Sequence, residues 1–112
     1  MKLAIVVRKD LDMSCGKIAG QVGHASVTAF HYGYDPMMEN WFNEGQKKII
    51  LKVPDLISLL KVQGLAQSHK LSVHEVIDFG LTQIEPNTLT CIAIGPDEDE
   101  KIDTVIGDLK LL

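Results

Sequence analysis

The sequence predicts a single layered α/β domain over residues 1–112, with helices on both faces of a sheet. Three observations predict it. Short apolar runs that read as strands alternate with segments of helical period, the pattern that sets helices against a central sheet. The first run, "KLAIVV", has no polar alternation, as expected of a strand covered on both faces. No linker, repeat or low-complexity stretch divides the chain, and its 112 residues can bury one core without staples.

Each element follows from local chemistry. Residues 2–7 are the first strand, ending at Arg8, and a polar loop leads into a helix from about Gly16 to Tyr32. Asp35-Pro36 opens a turn and a short helix that Gly45 stops. "KKIILKV" (47–53) is the second strand. Pro54 then starts a helix, "DLISLLKVQGLAQSH", whose buried side is expected to hold Leu56, Leu59, Leu60 and Val62 to Leu65. "LSVHEVID" (71–78) and "TLTCIAIG" (88–95) are the third and fourth strands, joined by the turn-rich "FGLTQIEPN". The acidic C-terminal segment reads as one more helix with a short apolar end, "DLKLL". Ligands of such sheets collect where strand carboxyl ends meet helix N-termini, which nominates the loops 9–16 and 78–88 and the Gly95-Pro96 turn.

Bulk composition excludes several classes. With 46% hydrophobic and 23% charged residues the chain is no disordered polymer. Its apolar runs fall well short of the roughly 18 residues that cross a bilayer, and residues 1–9 lack a signal peptide's pattern. Two cysteines, Cys15 and Cys91, suit a reducing compartment, so a cytoplasmic protein with no membrane partner is expected. The net charge of −4 comes wholly from the last sixteen residues; the first 96 are formally neutral, which leaves room for a basic face.

The first helix carries the clearest functional signal. At 100° per residue, Lys17, Gln21, His24, Thr28 and His31 fall within an arc of roughly 80°. The rest of the wheel is small or apolar, which predicts burial on most sides. The polar stripe then lines a groove, faces water, or is satisfied within the core. Gly20 and Gly23, each costing about 1 kcal/mol relative to Ala in a helix interior, favour close approach of another backbone or a ligand. Gly16-Lys17 is not part of a phosphate loop: Leu11 replaces the first glycine and Ile18 the hydroxyl of GxxxxGK[ST]. No HExxH or CxxC spacing marks a metal site.

Four segments, "VVRKDLDMSCGKIAGQVGHA", "KKIILKV", "DFGLTQIEPNTLTCIAIGP" and "IDTVIGDLKLL", together resemble the type 2 peptidyl-tRNA hydrolases of archaea and eukaryotes, in order and over essentially the whole chain. The resemblance implies a four-stranded mixed sheet flanked by helices, a possible homodimer, no metal or organic cofactor, and hydrolysis of the ester joining a peptide to the 3′ acceptor end of tRNA. It also implies roles for Lys17, Asp78 and Thr82 in catalysis and for Gln21, His24 and Thr90 in binding substrate. Asp78 would orient or deprotonate water, Lys17 would stabilise the oxyanion or bind terminal phosphates, and the threonines would donate hydrogen bonds. His24 is open between orienting substrate and acting as base. Lys9, Lys47, Lys48 and Lys52 are candidates for a tRNA-binding face, Lys9 and Lys48 foremost. The chain departs from the family pattern at Gly20 and at Phe79, and Phe79 is expected to narrow the site or alter substrate contact. The alternative reading is a non-catalytic binding or signalling module on the same fold.

Overall fold

The computed structural model describes residues 1–80 and 84–112. Five strands form one mixed sheet in the order β3-β4-β1-β2-β5. β1 (Lys2–Arg8) lies parallel to β2 (Lys48–Val53) and antiparallel to β4 (Thr88–Asp97). β4 also pairs antiparallel with β3 (Val73–Asp78), and β2 with β5 (Lys110–Leu111). The sheet therefore has one strand more than the four expected. β5 is a two-residue edge piece formed by the "DLKLL" end, too short to carry a strand period of its own.

Among the described residues four helices cover the sheet, two on each face: α1 (Cys15–Tyr32) and α2 (Asp35–Asn43), then α3 (Leu56–Ser68) and α4 (Asp99–Ile106). Side-chain alternation in β1 sorts them. Leu3, Ile5 and Val7 pack with Ala25 and Ala29 of α1 and Trp41 of α2. Ala4 and Val6 pack with Leu59, Val62 and Ala66 of α3 and with Ile102, Val105 and Ile106 of α4. Because β1 feeds both cores, it has to be apolar at every position, as its sequence is.

The buried side of α3 is narrower than the sequence reading had it. Only Leu59, Val62 and Ala66 are buried, while Leu56, Leu60 and Leu65 are 37%, 45% and 43% exposed. A helix resting on a sheet with no third layer outside it buries a single stripe, here spaced i, i+3, i+7. The four consecutive residues Val62 to Leu65 span more than one turn and cannot all lie on that stripe.

Strand direction fixes where chemistry can gather. β1 and β3 both run antiparallel to β4, so β1, β2 and β3 point the same way and their carboxyl ends, Arg8, Val53 and Asp78, share one edge. Helices α1 and α3 start at that edge, and β4 and β5 enter from it. The loops 9–16 and 78–88 meet there as expected. The Gly95-Pro96 turn does not: it lies inside β4, toward the opposite end of the sheet.

One irregularity re-aims side chains toward α1. Val76 pairs with Cys91 and Ile77 with Leu89, which leaves Thr90 as an extra residue on β4, a β-bulge. Two successive side chains thereby turn to α1: the Thr90 hydroxyl meets Gln21 Oε1 at 2.6 Å and Cys91 Sγ meets the Gln21 carbonyl oxygen at 3.7 Å.

Candidate active site

The start of α1 is held by Ser14, whose Oγ accepts from the backbone N–H of Lys17 at 3.2 Å. A lysine in a helix's first turn sits against the positive end of the helix dipole and calls for a compensating anion. Asp78, at the carboxyl end of β3, supplies it. The Lys17 ammonium forms an ion pair with Asp78 Oδ1, and both side chains are only 9% exposed. Asp78 Oδ2 accepts from the Gly80 N–H at 2.7 Å, and the Asp78 carbonyl accepts from the Asn87 N–H at 2.6 Å. Gly80 has φ +77°, and a Cβ there would lie 2.5 Å from the Pro86 backbone, so only glycine fits this turn.

The Lys17 ammonium holds the Asp78 carboxyl below its ordinary 3.8, outweighing the opposing effect of burial, with the Gly80 N–H and the charge of His24 adding to it. Asp78 is therefore a carboxylate throughout the neutral range.

Gln21, one turn after Lys17, is 3% exposed and Thr90 is fully buried. The Thr90 hydroxyl lies between Gln21 Oε1 at 2.6 Å and the Val76 carbonyl at 3.2 Å. It orients Gln21, whose side-chain nitrogen has no partner among the described residues. His24 is exposed on the next turn and lines, with Gln21 and Thr28, a groove of about 380 Å³ whose other wall is residues 75–79 of β3 and its end. His31, at the far end of the stripe, packs edge-on against Tyr32, which stacks on His74.

The polar stripe thus faces β3 and β4, and the structure brings together Lys17, Gln21, His24, Asp78 and Thr90. Thr82 lies outside the described residues. The remainder of the α1 wheel is not buried as expected: only Ala25 and Ala29 of it are, besides Gln21 of the stripe, and Val27 is 70% exposed. Gly20 and Gly23 are exposed with nothing within 4 Å of where a Cβ would stand, so no other backbone of the fold approaches either. Phe79 is 77% exposed and flanks the groove without filling it.

The lysines divide. Lys47 and Lys48 sit at the amino end of β2, about 17 Å of strand away from the carboxyl edge. Lys47 pairs with Asp99 there, and Lys48 lies over the Trp41 ring at 5.1 Å and donates to the Gln46 carbonyl. The structure therefore does not bring Lys48 to the site. Lys9 and Lys52 do lie at the carboxyl edge, where with Lys61 and Lys110 they line a cavity of about 600 Å³ that also includes Asp108. None of these four lysines makes an ion pair among the described residues. Lys61 and Lys110 were missed from sequence, since only the packing of α3 on the sheet and the pairing of β5 with β2 bring them to Lys9 and Lys52. Among the described residues no cluster of three or more His, Cys, Asp or Glu is arranged to hold a metal, and no helix is long and apolar enough to cross a membrane.

The family model of peptidyl-tRNA hydrolase PTH2 matches residues 1–112. The chain belongs to this family. Curated relatives named peptidyl-tRNA hydrolase include one from Methanopyrus kandleri, 49% identical over 99% of this chain and 97% of its own length. The Thermoplasma acidophilum relative is 48% identical with the same coverage. That of Methanothermobacter thermautotrophicus is 46% identical over the full length of both chains. Peptidyl-tRNA hydrolases are ester hydrolases, and this membership disfavours the reading of the fold as a non-catalytic module. The enclosed Lys17–Asp78 pair is thus set in the fold of a peptidyl-tRNA hydrolase.

Proposed function

We infer that this protein hydrolyses the ester between a peptide and the 3′ ribose oxygen of tRNA at the Lys17–Asp78 pair, releasing free tRNA and peptide. The observation that carries the assignment is the pair itself: two opposite charges, nearly enclosed, at the sheet edge where two helices begin. Enclosure strengthens their action on a substrate that displaces the remaining water.

Water is the nucleophile, oriented by Asp78. The Lys17 ammonium moves from the carboxylate to the ester carbonyl oxygen as negative charge develops there. That movement removes the main cause of Asp78's lowered pKa, so the carboxylate becomes a better base as it is needed. A proton passes from water to Asp78 and on to the departing 3′ oxygen; the acyl C–O bond breaks and a peptide carboxylic acid and a tRNA hydroxyl result. Gln21, oriented by Thr90, donates through its amide nitrogen to the substrate, and His24 orients the acceptor end from the groove's rim. Thr90 acts through Gln21, because its own hydroxyl is buried and engaged. Thr82 keeps its proposed catalytic role, and no metal or organic cofactor takes part.

Lys9, Lys52, Lys61 and Lys110 hold phosphates of the acceptor arm along the same edge. Lys48 would reach the tRNA only at the sheet's far end. A homodimer in the cytoplasm is part of the same reading, and light scattering in solution tests the dimer. The activity is tested by release of tRNA from N-acetyl-aminoacyl-tRNA: turnover is expected, and its absence from folded protein overturns the assignment.

A further inference from the structure

β3 is the last strand of the sheet on its side, and among the described residues it pairs with β4 alone. Among the described residues no strand pairs with its other edge, and hydrogen bonds show which residues present that edge. The Ser72 carbonyl accepts from Gly95 N at 2.9 Å, the Val76 carbonyl from Thr90 Oγ1 at 3.2 Å, and the Asp78 carbonyl from Asn87 N at 2.6 Å. Each of these even-numbered residues thus turns its main chain toward β4. In an antiparallel pair a residue's N–H and C=O point the same way and successive residues alternate. Val73, Glu75 and Ile77 therefore turn their main-chain groups to the open edge.

The groove beside α1 runs along this edge. Residues 75–79 all line it, although successive side chains of a strand point to opposite faces. Only the backbone edge can present five consecutive residues to one groove. Asp78 lies among them, so the groove begins at the reacting carbonyl and continues back along β3. Of the two acids of β3, Asp78 is paired with Lys17, and the Glu75 carboxylate accepts from Gln63 of α3 at 3.1 Å. No proline interrupts the free edge of this strand.

We propose that the peptide part of the substrate binds as an added strand on β3, pairing with the main chain of Glu75 and Ile77. This rests on the hydrolase reading of Lys17–Asp78. The direction is fixed by chemistry: the esterified carboxyl end lies at Asp78, the carboxyl end of β3, so the peptide runs parallel to β3. Main-chain pairing ignores side-chain identity, which suits an enzyme whose substrates differ in every residue but share a backbone. It also separates substrates by length. A lone aminoacyl group has no peptide N–H or C=O to reach Glu75, whereas a peptidyl group does.

The test measures kcat/KM for N-acetyl-alanyl-, dialanyl- and trialanyl-tRNA. Wild-type values are expected to rise with length by about two- to tenfold for each hydrogen bond gained. In Glu75→Pro, which removes an N–H facing the open edge and spares those facing β4, the ratio of trialanyl to alanyl substrate is expected to fall toward one; Glu75→Ala keeps the ratio. A wild-type ratio near one, or a Glu75→Pro variant with the wild-type ratio, overturns the proposal. Should Glu75→Pro not fold, wild type with depsipeptidyl-tRNAs answers the same question: replacing an amide N–H by an ester oxygen costs activity at alternate residues, and equal turnover at every position refutes strand addition. Titration with free N-acetyl-oligoalanines separates the two claims. Length-dependent binding without any turnover would sink the hydrolase assignment alone, and length-independent binding would sink the added strand alone.

Discussion

Two helices begin at the carboxyl edge of the sheet, and they are equipped in opposite ways. At the start of α1 a single lysine is matched to a single carboxylate, and both are nearly closed off from water. At the start of α3 the N-cap Asp55 accepts from Ser58 N at 2.8 Å, and around the adjoining cavity Lys9, Lys52, Lys61 and Lys110 stand without ion-pair partners among the described residues. Enclosure makes the first region a place where one charge can alter a bond. Exposure makes the second a diffuse positive surface, weak per contact, screened by salt and suited to a polyanion. The fold thus separates chemistry from grip: both regions meet the carboxyl edge of the sheet, the first on the α1 face and the second on the α3 face.

The largest effect is expected on the enclosed side. Lys17→Met should lower single-turnover hydrolysis of N-acetyl-aminoacyl-tRNA by roughly 10²- to 10³-fold, the scale of a lost oxyanion donor. Thr90→Val tests whether Gln21 needs its anchor. It should lower kcat by about tenfold and cost roughly 1–3 kcal/mol in denaturant unfolding, because Gln21 Oε1 loses a buried partner. On the exposed side, Lys52→Ala with Lys61→Ala should raise KM and leave kcat in place. Filter binding should show the log–log salt slope falling by about 0.7 per lysine removed, with Lys48→Ala leaving it unchanged.

The smallest effect is in pH dependence. Asp78 is held below 3.8 in the folded chain, so the native state binds fewer protons than the unfolded one as acid is added. Its stabilising contribution is complete above about 3.8 and is lost as the pH falls through the lowered value. Lys17→Met removes the main cause of the lowering. The Asp78 carboxyl, followed by NMR titration, should then return upward toward 3.8.

The sequence made the order of elements legible because each major one carries its own period or cap. β1 is uniformly apolar, Pro54 and Asp55 precede α3, and the acidic run opens α4. β5 left no mark, since two residues have no period. The site was legible where residue type conflicted with position, as with Lys17 at a helix's positive end and polar Gln21 on a small-residue helix. Its depth was not. Thr90 reads as an ordinary strand threonine until the bulge on β4 turns it to Gln21. The cavity of four lysines was invisible, because Lys110 reaches Lys52 only when β5 pairs with β2, and Lys61 joins them only when α3 packs back on the sheet. Gly20 and Gly23, by contrast, meet no neighbouring backbone of the fold.

The central claim is that the Lys17–Asp78 pair performs the hydrolysis. Asp78→Asn keeps size and shape while removing the charge, and single-turnover release of tRNA from N-acetyl-aminoacyl-tRNA reads the consequence directly. A loss of at least about 10²-fold with an unchanged circular dichroism spectrum is the predicted result. Turnover within a few-fold of wild type would contradict the account.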